Sequence, residues 1–295
     1  MNEFRNYHPI VNFVYFVFVI GFSCFFIHPA CLLISLICGF VYSVILKGKK
    51  AIKTNLIYML PMVILMAVIN PAFNHEGVTV ISYLPDGNPL TLESIVYGFV
   101  AATMIVSVIC GFSCYNEIMT SDKFIYLFGK IIPAISLVIS MTLRFVPRFI
   151  GQLKVVINAQ RCIGRSISCG SIIKRTRNVL NILSIMITWS LENAIETSDS
   201  MKSRGYGLAG RTSFSIYTFD KRDKMALITI LFLGAYIICG SWMGEMSFNY
   251  FPSIMITDVS VYGLSLFVSY FLLCIYPLAI EIWEVRRWKA LRLKI

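Results

Sequence analysis

Six apolar runs mark the chain, at about residues 10–27, 30–46, 56–70, 92–115, 225–243 and 259–283. A helix crossing about 30 Å of hydrocarbon needs roughly 20 apolar residues, so each run predicts a membrane-spanning helix. The third is short and carries Pro61. A seventh run, 131–143, begins Ile-Ile-Pro and ends at Arg144, which suits a buried or interfacial helix. Between the fourth and fifth spans lie residues 116–224, too long for a simple connection. Two helical patterns occupy this insert. The first runs from about Ile131 to Cys162. Pro147, in Leu143-Arg-Phe-Val-Pro147, predicts a break there because proline lacks an amide donor and disfavours α geometry at Val146. Beyond the break, Val156, Ala159, Gln160 and Ile163 lead to a stop at Gly164.

The second pattern runs from about Lys174 to Ser203. Leu180, Leu183, Ile187, Leu191, Ala194 and Met201 follow helical spacing on one side, and Glu192, Glu196 and Asp199 line another. At 1.5 Å per residue this helix is on the order of 45 Å long. The expected fold is all-α: a polytopic membrane protein of about six transmembrane helices, with a helical coupling insert between spans four and five. Its segments are 1–115, 116–224 and 225–295. The loop 71–91 carries the turn signals Asn70-Pro71, Pro85-Asp86-Gly87 and Asn88-Pro89, and Val78–Leu84 suits a short β excursion.

Composition agrees: 57% of the 295 residues are hydrophobic, 14% are charged, and mean hydropathy is +0.75. The net charge of +11 is explained by position. Of 26 lysines and arginines, five lie at the amino end and between spans two and three, sixteen between Lys123 and Lys224, and five beyond Arg286 inclusive; loops 28–29, 71–91 and 244–258 hold none. With six spans, every cation falls on one side. The positive-inside rule then puts both termini and the insert in the cytoplasm, and no nucleic-acid partner is called for. The nine cysteines form no C-x-x-C pair and read as free thiols packed in apolar runs. His8, His28 and His75 stand apart, so no metal site is expected.

Candidate chemistry concentrates at two helix ends. Ser200-Met-Lys-Ser-Arg-Gly-Tyr206 places Lys202 and Arg204 where cations meet the negative end of a helix dipole, and Gly205 supplies the left-handed stop. Ala159-Gln-Arg-Cys-Ile-Gly164-Arg165 ends the other helix in a similar turn. Basic residues before a glycine are also ordinary stop chemistry. The apolar sides of both helices favour a docking role, with Arg204 offering a planar fork to a carboxylate and Met201 filling a groove. The chain has no G-x-x-x-x-G-K-[ST], so ATP hydrolysis is expected in separate subunits. H-E-x-x-H and G-x-S-x-G are absent too, no catalytic residue or cofactor is expected, and a membrane enzyme has no support. A self-sufficient secondary transporter is the other alternative. It wants buried ionisable groups or broken helices at midplane, whereas Glu93, Glu281 and Glu284 stand near span ends. Gly240-x-x-x-Gly244 is a weak sign of helix contact.

These residues resemble the transmembrane T component of energy-coupling-factor (ECF) transporters, the CbiQ-like family. The resemblance covers most of the chain and is carried by Asn70-Pro-Ala-Phe-Asn-His75, Met119-Thr-Ser-Asp-Lys-Phe124, Leu143-Arg-Phe-Val-Pro147, Ala159-Gln160 and Ser200–Tyr206 followed by Arg211-Thr212. It implies a non-catalytic scaffold in the prokaryotic cell membrane, part of an importer of a vitamin or transition-metal ion. It implies as partners two ABC ATPase subunits, an S-type substrate-binding membrane subunit and the lipid bilayer. In the family, two coupling helices each end in an Ala-Arg-Gly-like motif that docks into an ATPase groove. Ser203-Arg204-Gly205 matches the second motif, with serine for alanine. Cys162-Ile163-Gly164 stands at the first, without its arginine, and Arg161 and Arg165 flank it.

Overall fold

The computed structural model describes residues 3–83, 87–129, 133–166, 171–206, 217–254 and 260–292, and the side chains of these except 50, 133–134 and 288–292. Cys169, Pro85-Asp86 and Arg211-Thr212 therefore lie outside the described residues. A short 3-10 turn, Glu3–Asn6, is followed by α1 (Pro9–Phe25), α2 (Pro29–Lys47), α3 (Lys49–Phe73), β1 (Val80–Tyr83), β2 (Pro89–Thr91), α4 (Leu92–Ile118), α5 (Ser121–Gly129), α6 (Pro133–Cys162), α7 (Ile172–Ser203), α8 (Lys221–Trp242) and α9 (Val261–Arg292). The chain is all-α apart from one antiparallel hairpin, in which Val80 faces Thr91 and Tyr83 faces Pro89. By length and composition α2, α3, α4, α8 and α9 can each cross a membrane, and α1 is a shorter apolar helix of 17 residues. The protein is a multi-pass membrane protein, and its apolar helices fall on the six runs read from the sequence.

Two of the histidines start these helices. The Nδ1 atoms of His8 and His28 accept from the amides of Ile10 (3.3 Å) and Ala30 (3.2 Å). Each is followed by proline at the first helical position, where a missing amide costs nothing.

The chain divides into two compact units, Met1–Phe124 with Tyr217–Ile295, and Ile125–Ile216. In the first, α1, α2, α4, α8 and α9 share one core that includes Tyr15, Cys114, Ile237, Leu266 and Tyr270. Hydrocarbon gives no hydrophobic incentive for helices to associate, so shape and polar contacts must hold them. Gly240 shows the first: a Cβ there would meet Leu266 of α9 at 2.4 Å, so only glycine lets α8 approach so closely. Gly244 has open space around it and φ +86°, so this half of the G-x-x-x-G pair ends a helix and makes no contact. Polar contacts supply the second. Ser23 Oγ donates to Ser35 Oγ at 3.1 Å, Tyr270 hydroxyl bonds Ser35, and Tyr15 hydroxyl donates to the Cys274 carbonyl at 3.2 Å, linking α1, α2 and α9.

One end of this unit holds a knot of buried polar groups around the wholly buried Phe4. Asp223 closes a capping box on α8 and also accepts the His8 amide at 3.0 Å, tying α8 to α1. Lys123, 5% exposed, donates to the Arg5 carbonyl. With the Asn12 amide oriented to satisfy its neighbours, Oδ1 accepts from Lys123 Nζ at 2.8 Å and the nitrogen donates to Phe4 at 3.0 Å. Glu281 and Glu284 are buried here as well, the latter 3.9 Å from Arg222. So the carboxylates at the end of the sixth span, which the sequence places near the exit, are inside the protein.

Four expectations are corrected. First, α6 runs unbroken from Pro133 through Pro147 to Cys162, absorbing the 131–143 run as far as it is described. Proline removes one donor, to the Leu143 carbonyl, and both residues are exposed, so the helix tolerates the loss. Second, α3 continues through Pro61 and Pro71 to Phe73, so Asn70-Pro71 is helix and not turn. Third, α3 begins at Lys49, several residues before the apolar run at 56. Fourth, Cys24, Cys162 and Cys239 are exposed free thiols, while Cys31, Cys38, Cys110, Cys114 and Cys274 are buried as expected.

Lys123 gives a test of the knot. Burial, then the charge of Arg5, lowers its pKa to about 8 from the usual 10.5. The folded state thus holds its proton less tightly than the unfolded chain, and stability rises between pH 8 and 10.5 as that cost is relieved. Lys123→Met should remove this rise and, by orphaning two acceptors, cost about 1–3 kcal/mol. Thermal unfolding in detergent at pH 7 to 10 measures both; an unchanged pH slope would contradict the assignment.

Candidate functional site

In the unit Ile125–Ile216, α6 and α7 pack side by side. Val156 of α6 is buried against Ile182 and Met186 of α7, with Leu153, Ile157 and Trp189 around them. Toward the start of α6, Phe149 meets Trp189 at 6.1 Å between rings, and the Arg148 guanidinium lies 5.8 Å from the same ring. Farther still, residues Leu137 to Arg148 share a groove with Asn193 to Arg204. As numbers fall along α6 they rise along α7, so the helices are antiparallel and their carboxy ends point opposite ways. From the Val156 contact, the α6 end is about 10 Å away and the α7 end about 25 Å away in the other direction, at 1.5 Å per residue.

The two ends are built alike. On α7 the Tyr206 amide donates to Met201 and the Gly205 amide to Lys202, at 3.1 and 3.0 Å. On α6 the Arg165 amide donates to Gln160 and the Gly164 amide to Arg161, at 2.9 and 3.0 Å. Both are Schellman turns, with glycine at φ +74° and +77° where a Cβ would be strained. The bonds set a register: Gly164 matches Gly205, Ile163 matches Arg204, Cys162 matches Ser203, Arg161 matches Lys202 and Arg165 matches Tyr206. Each end thus carries a cation three residues before its glycine. The second cation precedes glycine on α7 and follows it on α6.

Every candidate on the two tips is exposed except Met201 and Gly205, which are half-buried. Ile163, at the position of Arg204, is 69% exposed. Ser203 Oγ bonds back to the Ser200 carbonyl at 2.9 Å, and Lys202 lies 4.0 Å from an equally exposed Asp199, a pair too solvated to matter. The two clusters of candidates do not meet: the structure brings Ser203, Arg204, Gly205 and Met201 together, and Arg161, Cys162, Ile163 and Gly164 together, at opposite ends.

The groove beside the α7 tip, about 610 Å³, brings in residues that the sequence reading missed. Arg144 and Arg148 on α6 line it together with Arg204, with Glu196 the one carboxylate among the described residues and Met141, Phe145 and Met201 as apolar lining. Such a surface suits an acidic, partly apolar partner segment. Arginines four apart on a helix share a face, which is the signal that could have found them. The stripe Leu180, Leu183, Ile187, Leu191 and Ala194 is exposed, and the face that packs on α6 is Ile182, Met186 and Trp189. The helix is apolar on both sides, and the unit covers only one. Among the described residues no three His, Cys, Asp or Glu side chains gather to hold a metal ion.

Gly164→Ala and Gly205→Ala place a Cβ at positive φ, at about 1–2 kcal/mol each. Amide hydrogen exchange should then quicken at Arg165 and Tyr206 respectively, and only at the substituted end. Unchanged protection would mean that the glycines do not hold the turns.

Comparison with known proteins places this architecture. A protein from Lactobacillus helveticus (strain DPC 4571) named energy-coupling factor transporter transmembrane protein EcfT is 34% identical over 156 residues, 50% of this chain and 56% of the relative. Proteins of the same name from Streptococcus thermophilus (strain ATCC BAA-250 / LMG 18311) and Brevibacillus brevis (strain 47 / JCM 6285 / NBRC 100599) are 35% identical over 101 residues and 33% over 118, covering 34% and 39% of this chain and 38% and 44% of the relatives. The chain spans about half the length or less of the curated relatives it matches. The family model CbiQ, described as cobalt transport protein, matches residues 1–215, most of the chain including α6, α7 and both tips. The chain belongs to the CbiQ family.

Proposed function

We propose that this chain is the transmembrane coupling subunit of an ATP-driven ECF-type importer, carrying a vitamin or a transition-metal ion. It hydrolyses nothing itself. Two ABC ATPase subunits supply the energy, and a separate S-type membrane subunit binds the substrate. The observation that carries the reading is the antiparallel pair of helices with matching Schellman turns at opposite ends. Two prongs side by side would suit one partner; two cationic tips facing apart suit two copies of one kind of partner. The names of the relatives support the same reading.

In this scheme the termini and the segment 116–224 are cytoplasmic, in keeping with the confinement of lysine and arginine to one side. Segments 1–115 and 225–295 form the membrane part. Ser203, Arg204, Gly205 and Met201 enter one ATPase, and Arg161, Cys162, Ile163 and Gly164 enter the other. Arg204 is the stronger anchor, because its fork of donors can hold a carboxylate bidentately. At the other tip Ile163 offers only apolar contact, and Arg161 and Arg165 supply the charge from either side. The uncovered stripe of α7, Leu180 to Leu191, is the face left for the S-type subunit. A rigid pair of helices that joins both ATPases then turns their closure into movement beneath the bound substrate subunit.

Arg204→Glu should lower recovery of the ATPase with the tagged chain, and uptake in liposomes, by more than tenfold, since reversing a desolvated charge costs several kcal/mol. Arg161→Glu with Arg165→Glu should weaken both less. Lys174→Glu, exposed at the start of α7, is the control. Full recovery and uptake with Arg204→Glu would defeat the docking role.

A further inference from the structure

We infer that a cavity between α3 and α4, at the end that carries Lys47, binds an anionic phospholipid, its phosphate on Lys47 and an acyl chain running toward Val106. The cavity, about 350 Å³, belongs wholly to the membrane unit. Its lining is graded. At one end stand Lys47, Thr54, Ser113 and Asn116; at the other Met59, Val106 and Ile109. Because α3 leaves this end at Lys49 and α4 returns to it at Ile118, the polar group lies at the helix ends and the apolar group deeper along the spans. That gradient fits a molecule with a charged head and a hydrocarbon tail, and fits neither a free anion nor a wholly apolar ligand.

Charge chooses the head. None of the described lining residues is acidic. Lys47 Nζ donates to Ser113 Oγ at 2.7 Å, which fixes the ammonium at the rim and leaves further N–H groups for a phosphate. Lys49 and Lys53, both exposed, add positive charge in the first turns of α3, and no carboxylate lies in that first turn. The walls choose a lipid. Ile109 and Phe112 line the cavity and are 44% and 48% exposed, so it opens onto the outer face of a spanning helix. Only 6% of the apolar stretch of α3 is buried, against 33% for α2 and 39% for α9, so α3 rests on α4 and α2 by one side and meets its surroundings with the rest. A lipid seated here would fill the space beneath Tyr58 and Met59 and cover part of the spanning helix that has the least buried surface. Juxtamembrane lysines attract anionic headgroups in the leaflet they face.

The test is lipid retention by the purified full chain in detergent, read by native mass spectrometry after exchange with phosphatidylglycerol or phosphatidylcholine. Phosphatidylglycerol should be retained roughly fivefold or more above phosphatidylcholine, the discrimination that one interfacial cation provides. Lys47→Gln, which keeps a donor for Ser113, should abolish that preference, and Lys47→Arg should restore it. Ile109→Trp, at a position already open to lipid, should fill the apolar end and reduce retention of phosphatidylglycerol with Lys47 intact. Phosphatidylglycerol should also raise the unfolding temperature of the wild type and not of Lys47→Gln. Equal retention of the two lipids, displacement by millimolar inorganic phosphate, or indifference to both Lys47→Gln and Ile109→Trp would overturn the site. None of these readouts involves an ATPase, so the site and the coupling role stand or fall separately.

Discussion

The seam of Val156, Ile182 and Met186 decides what the unit Ile125–Ile216 can be. Three buried side chains are the whole described core between helices of 30 and 32 residues. Such a seam sets direction and contact point, since side chains interdigitate in one register. It cannot bury the rest of either helix. Leu180, Leu183, Ile187 and Leu191 on α7 and Val138, Val146 and Ile150 on α6 stay exposed. Apolar faces of this extent mark a surface that the unit's own core does not cover. The same seam, by making the helices antiparallel, sends two similar cationic turns in opposite directions. Direction and incompleteness have one cause.

The membrane unit is built on a different balance. Its apolar surface is free to face lipid, so the helices are joined by close approach at Gly240 and by hydroxyls at Ser23, Ser35 and Tyr270. At one end a satisfied knot of Lys123, Asn12, Asp223 and His8 fastens α1 to α5 and α8. Buried polar groups of this kind specify an arrangement because each has few alternative partners. α3 uses both devices on one side only: a Cβ on Gly98 of α4 would stand 3.1 Å from its Met66 carbonyl, and its Asn70 and Asn55 donate to the Ser94 carbonyl and Ser43 Oγ, so its other side is left to something other than the chain.

Much of this was legible in the sequence. The apolar runs located six helices because desolvation in hydrocarbon leaves the backbone few choices. Glycine after a basic turn located both tips, since positive φ there admits little else. Proline misled the reading at 71 and 147, where its local cost is met on exposed helix faces and the surrounding helix carries on. The Leu180 stripe misled in another way: periodicity reports an apolar face, not what covers it. Antiparallel packing was also available. The link from Ile163 to Ser171, nine residues, is too short to carry α7 back to the start of α6 for a parallel pairing and favours a return along it. The grouping of Arg144 and Arg148 with Arg204 required that return path and was not visible without it.

The claim at the centre is that one chain reaches two ATPases through tips that face apart. A photo-reactive benzophenone on the native Cys162 and on Ser203→Cys, with Cys24, Cys169 and Cys239 replaced by alanine, reports this in the assembled complex. The account predicts a product containing one copy of this chain and two ATPase copies, each joined through a different tip. Attachment of both tips to the same ATPase copy, or of neither tip to any, would contradict it.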